Sequence, residues 1–94
     1  MDDIMIDIGT VEGKAASFRS LSKKITAINT RLLDLDSQIS QVWVDDAYTR
    51  YHSDVMKCSE NLLKLAEKAA LAAEICDLAC TEYQKADDKI AALL

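Results

Sequence analysis

The sequence predicts an all-α fold: an antiparallel two-helix hairpin, expected to pair into a four-helix bundle. The 94 residues include no proline and only two glycines, so almost nothing interrupts a helix. Apolar residues recur in steps of three and four, the pattern of helices that pack along one seam. A single short break, Trp43-Val44-Asp45-Asp46, divides that pattern in two. A chain of this length makes a marginal core alone, so oligomerisation is expected.

The elements follow in order. Residues 1–9 form an acidic segment without the positive n-region or continuous apolar stretch of a secretory signal. Thr10 suits an N-cap, with Glu12 in the first turn complementing the helix dipole, so the first helix is expected over 10–43. Its seam reads Val11, Ala15, Phe18, Leu21, Ile25, Ile28, Leu32, Leu35, Ile39 and Val42. The turn is placed at 44–46, where aspartate tolerates left-handed backbone and Asp46 can cap the helix that follows. The second helix is expected over 47–94. Its seam begins Tyr48, Tyr51, Val55, Cys58, Leu62, Leu65 and Ala69, and continues with Ala72, Cys76, Ala79, Tyr83, Ala86, Ile90 and Leu93.

With the turn centred near Asp45, residue i is expected opposite about residue 90 minus i, within a few positions. Phe18 and Leu21 then face Ala72 and Ala69, and Ile25 and Ile28 face Leu65 and Leu62, so bulk meets small residues where it is greatest.

Two features remain once the hairpin is closed, and both imply a helical protein partner. Between Lys68 and Cys80 the second helix is apolar on most sides, with Ala70, Ala73 and Cys80 flanking the seam on one side and Leu71, Ile75 and Leu78 on the other. One facing helix covers one stripe, so a second hairpin is the natural cover. The second helix also outruns the first: from about Cys80 to Leu94 nothing lies opposite. This overhang of roughly 20 Å carries Tyr83, Ala86, Ile90 and Leu93. The alternative is that Ile4, Ile6 and Ile8 fold back over it, since nine extended residues reach about 30 Å.

At the bend and the overhang the chain resembles the WxG-motif small helical proteins of type VII secretion, the early-secreted-antigen-like family. The residues that carry the resemblance are Trp43-Val44-Asp45 at the turn and Tyr83-Gln84-Lys85-Ala86-Asp87 near the end. Chain length, the Ala15-to-Phe18 spacing in the first helix and the aromatic start of the second also fit. The resemblance implies hairpins that dimerise into four-helix bundles. It also implies that Tyr83 and Asp87 form an export signal, read together with a partner's turn by the secretion ATPase. Asp45 stands where the motif has glycine, which points to a divergent member such as the small helical partners of LXG toxins. A homodimer and an escort of an LXG-type toxin domain are both compatible, and the degraded turn motif favours the escort. The implied localisation is cytoplasmic before export, then secreted by a signal-peptide-independent route.

Other classes of function find less support. The net charge is −5 with acids and bases interspersed, so no basic stripe awaits nucleic acid. No apolar run approaches about 18 residues, so membrane insertion is not expected. Three cysteines cannot all pair within one chain, which fits free thiols in a reducing cytosol. His52, the one histidine, is expected at the rim rather than as a base, and the adjacent Asp87 and Asp88 diverge on a helix. No catalytic residue, cofactor site or metal site is therefore assigned. Cys76 and Cys80 share a face, and four such thiolates in a dimer suit zinc, but buried cysteine acting as a small apolar residue is the commoner case. A non-enzymatic secretion partner is thus the leading expectation. The alternatives are a generic coiled-coil adaptor or chaperone of another secretion system, and a filament or needle subunit.

Overall fold

The computed structural model describes residues 7–94. It contains two helices, α1 over Ile8–Ser40 and α2 over Asp46–Leu93, and no strand among the described residues. They pack along each other as an all-α hairpin 74 × 18 × 17 Å in extent. The 48 residues of α2, at 1.5 Å each, span about 72 Å and account for the long axis. Its radius of gyration, 21.3 Å, far exceeds the roughly 13 Å of a compact chain of this size. A rod two helices thick has little interior, and no large side chain is fully buried among the described residues.

α1 starts two residues earlier than expected. Asp7, not Thr10, is the N-cap: its Oδ1 accepts a hydrogen bond from the Thr10 backbone amide at 3.1 Å. That bond favours the charged carboxylate and holds Asp7 below the usual aspartate range. Thr10 lies inside the first turn, three residues past the cap, where its amide is the donor that needs an acceptor.

α1 also ends earlier, at Ser40 rather than residue 43. The Trp43 amide donates to the Ile39 carbonyl at 2.9 Å, after which the chain leaves the helix. Asp45, not Asp46, then caps α2. Its backbone is extended, φ −131 and ψ 178, and its Oδ1 accepts from the amides of Ala47 at 2.8 Å and Tyr48 at 3.3 Å. No described residue adopts positive φ, so the turn uses no left-handed residue, contrary to expectation.

Three contacts fix the register. Ile8 meets Cys80, Ser22 meets Ala66 and Asp36 meets His52, and each pair of numbers sums to 88. The expected pairing was two residues off, because α1 ends sooner and the turn centres nearer Val44. By this register Ile8 marks the end of the paired region among the described residues, and α2 runs on past α1 from Thr81 to Leu93, roughly 20 Å. Ile4 and Ile6, offered as a cover for this overhang, lie outside the described residues. Ile8 does not fold back; it opens α1, with its carbonyl 3.9 Å from the Cys80 Sγ. Among the described residues, no helix is long and apolar enough to cross a membrane.

Candidate functional site

The seam between the helices is rotated from the one that hydrophobicity alone suggests. Val11, Ala15, Phe18, Ile25, Leu32 and Ile39 point inward as expected, but Leu21, Ile28, Leu35 and Val42 are exposed. Their places are taken by the next residue in each turn: half-buried Ser22 and buried Asn29 and Asp36. The same displacement occurs on α2. Tyr51, Cys58 and Leu65 are exposed, while Ser59, Ala66, Ala73 and Cys80 are buried. Cys58 is therefore not a seam residue, and Cys76 is only partly covered.

The small and polar residues lie in sevens on both helices, and they meet. Ser22 Oγ donates to the Ala66 carbonyl at 2.8 Å. Asn29 stands opposite Ser59 by the same register, with its Oδ1 buried and without a hydrogen-bond partner. Asp36 engages His52, whose Nδ1 lies 2.6 Å from Asp36 Oδ2, and Tyr48, whose hydroxyl donates to Asp36 Oδ1 at 3.2 Å. A carboxylate only accepts, so His52 Nδ1 carries the proton in this contact. The Asp36 side chain is 7% exposed and that of His52 45%. His52 thus sits at the rim, as expected, but its bond to a buried acid was missed. Partial burial and the neighbouring carboxylate push the Tyr48 phenol above its usual range. Arg19 pairs with Asp77 further along the same edge.

The missed polar residues carried one signal in the sequence. Ser22, Asn29 and Asp36 are spaced by seven, and so are His52, Ser59, Ala66, Ala73 and Cys80. A second seven-residue series of small or polar residues beside the apolar one marks a seam where backbones approach closely.

Displacing the large apolar residues from the seam creates an exposed apolar face. Leu21, Ile28 and Leu35 each precede an inward residue of α1 by one position, and Tyr51, Cys58 and Leu65 do the same on α2. A one-residue step rotates a side chain by about 100°. Because the helices run antiparallel, the same step on both turns these residues to the same side of the hairpin. The cross-helix polar contacts occupy the opposite edge. Burying Leu21, Ile28, Leu35 and Leu65, each about half exposed, would contribute roughly 1 kcal/mol apiece.

At the tip, Trp43 is half-buried and packs edge-on against Tyr48, ring centroids 5.8 Å apart, and at a tilt against Tyr51, 5.5 Å away. Its indole N–H donates to Asp45 Oδ1 at 3.0 Å. Trp43 and Asp45 are thus brought together, and Asp45 has a role that glycine could not fill: it caps α2 and anchors the tryptophan.

The remaining sequence-derived residues lie on α2. Tyr83 is partly covered and Asp87 exposed, both on the overhang and one helical turn apart. Leu71, Ile75, Leu78, Ile90, Leu93 and Ala70 are exposed. Ala73 is not available to a partner: it is 1% exposed, because α1 already covers it. Burial pushes the Cys80 thiol up, reinforced by the Glu12 carboxylate. The hollows along the overhang are open surface grooves, one of them lined by Ile8, Glu12, Cys80, Thr81 and Gln84. Among the described residues, no group of three or more histidine, cysteine or acidic side chains is placed to hold a metal ion.

Comparison with protein-family models, curated proteins and solved structures finds no match.

Proposed function

We propose that this chain is a non-enzymatic helical protein associated with type VII secretion. It binds a partner hairpin, either an LXG-type toxin N-terminal domain or a second copy of itself, and supplies Tyr83 and Asp87 as a C-terminal export signal. The observation that carries the binding part is the exposed apolar face of Leu21, Ile28, Leu35, Tyr51 and Leu65, to which both helices contribute, on a rod only two helices thick. A chain that keeps its largest aliphatic residues outside its own seam gains most by packing against another helical pair.

The signal part is supported by position. Tyr83 and Asp87 lie at i and i+4 on the part of α2 that extends past α1, where a receptor can approach without displacing α1. The aromatic tip and its tryptophan sit at the other end of the rod, about 60 Å away by helix rise, so tip and tail of one molecule cannot act as one surface. A bound partner lying head to tail would bring its own tip beside this tail. The most buried carboxylate, Asp36, is fully engaged by Tyr48 and His52 inside the seam, which suits a structural role rather than acid-base chemistry.

The test is co-expression with the products of neighbouring genes, pull-down, and export measured with and without Tyr83→Ala and Asp87→Ala. A stable complex with a larger helical protein, together with loss of export but not of binding in the tail variants, is the expected result. A chain that stays monomeric beside every candidate, and whose export survives deletion of residues 83–94, would overturn the proposal.

A further inference from the structure

Resting on the binding role proposed above, we infer that the apolar face is built for a foreign helix whose own apolar stripe is bordered by acidic residues, in preference to a second copy of this chain. The evidence is the charge along its border. Three residues after Leu21 and Ile28, on the outer side of the stripe, come Lys24 and Arg31, both exposed. Ser17 and Gln38 occupy the equivalent positions one turn-pair before and after, and Lys14 continues the stripe itself towards the N-terminus. The α1 border is therefore basic at its two central positions and uncharged at the outer two, in a chain whose net charge is −5. On α2 the equivalent border positions, three residues after Tyr51, Cys58 and Leu65, hold Asp54, Asn61 and Lys68, which is neutral in sum.

A second copy fits this pattern poorly. Leu21 and Leu35 are symmetric about Ile28, so a two-fold axis there gives the best apolar self-match. It also sets Lys24 against Arg31 of the other copy, twice. The same axis sets Asp54 near Lys68, twice, so attraction on α2 is offset by repulsion on α1 and charge gives self-pairing no net gain. A partner helix with acids over Lys24 and Arg31 keeps the apolar match and turns both repulsions into attractions. The opposite edge of the hairpin, with Arg19 already paired to Asp77, exposes Met56 and Leu63 of α2 but no large apolar side chain of α1.

A charge-reversed copy of the chain serves as the probe. Lys24→Glu/Arg31→Glu changes two exposed residues and leaves the stripe intact; circular dichroism establishes that the double variant folds. Sedimentation equilibrium is then run on wild type alone, variant alone and an equimolar mixture, in low and high salt. The mixture is expected to form a 1:1 dimer about tenfold tighter than either protein alone, with the advantage lost in high salt and the dimer abolished by Ile28→Glu. Wild type that self-associates as tightly as the mixture would overturn the inference, and so would a mixture that stays monomeric. A wild-type dimer as tight as the mixture and dissociated by Ile28→Glu would reject the acidic border while leaving the partner-binding role standing. That role fails separately, in the pull-down and export measurements.

Discussion

Ile25 and Ile28 are three residues apart, carry the same side chain and fit the same apolar repeat, yet the fold treats them oppositely. Ile25 is 6% exposed and Ile28 56%. Truncating a buried isoleucine to alanine costs about 2–5 kcal/mol, transfer and cavity together, so Ile25→Ala should cost about 3 kcal/mol. For a domain of this size that lowers the thermal midpoint by about 12–24 °C. At Ile28 less than half of the side chain is covered and no cavity forms, so about 1 kcal/mol is lost, of which alanine's better helix propensity returns about 0.4. The net is about 0.5 kcal/mol, or roughly 2–4 °C. Thermal melts followed by far-ultraviolet circular dichroism, repeated over a range of protein concentrations, measure both. Equal losses at the two positions, independent of concentration, would refute the rotated seam. In the presence of a bound partner the order should change, with Ile28→Ala weakening the complex while leaving the isolated hairpin almost intact.

Other consequences can be checked as directly. Asn29 buries an amide oxygen with no donor, so Asn29→Leu should raise stability by about 1 kcal/mol in urea melts; a loss instead would show that the oxygen is satisfied. Asp45→Ala removes the α2 cap and the acceptor for Trp43, with an expected cost of about 1 kcal/mol, whereas Asp45→Gly restores the WxG pattern and costs only a few tenths through the cap. Both should shift Trp43 fluorescence alike, because both remove the carboxylate; an unchanged spectrum would contradict the indole contact. Cys58 is exposed on the apolar face, and Cys80 is buried with its thiol pushed up, so alkylation followed by mass spectrometry should modify Cys58 well before Cys80. Protection of Cys58 on partner binding would place the partner on this face.

The hairpin was legible in the sequence because its two signals are strong and local: an unbroken three-four apolar repeat and one short polar interruption. The overhang followed from the unequal lengths on either side of Trp43. What was not legible is rotation about the helix axes. Periodicity identifies a stripe about two residues wide but does not say which edge of it faces the neighbouring helix. Ser22, Asn29 and Asp36 look like solvent residues in sequence, and only the contact of Asp36 with His52 and of Ser22 with the Ala66 carbonyl shows that they face inward. Boundaries failed for a related reason. Thr10 and Asp46 are reasonable caps taken alone, but each stands near a competing aspartate, Asp7 and Asp45, whose carboxylate reaches the free amides in better geometry. Trp43 was expected at the turn, yet its hydrogen bond to Asp45 was not, because that contact depends on the extended backbone of Asp45, which residue type alone does not specify.

The rotated seam also explains why the chain places polar residues where aliphatic ones would hold it together more strongly. Both helices repeat every seven residues, so a purely apolar seam could slip by one heptad with little loss. The polar layers forbid this. In the native register Asp36 meets His52, the one histidine of the chain; a slip of seven residues would set that buried carboxylate opposite Ser59 in one direction or Asp45 in the other. One alternative leaves a buried charge with a weak neutral donor, and the other opposes two acids, so both are penalised by the desolvation of an ill-paired carboxylate. A buried polar residue that fixes register at the expense of stability is a known device of paired helices. Here it fixes the length of the overhang as well, since a heptad slip would lengthen or shorten the free end of α2 by about 10 Å. His52→Leu should therefore do more than destabilise the tip. It should let the helices sample a second register, detectable as cross-linking between cysteines introduced at Ser22 and Ala73, which meet only after a seven-residue slip, while His52→Arg, which retains a donor to Asp36, should keep the native register and cross-link only cysteines introduced at Ser22 and Ala66.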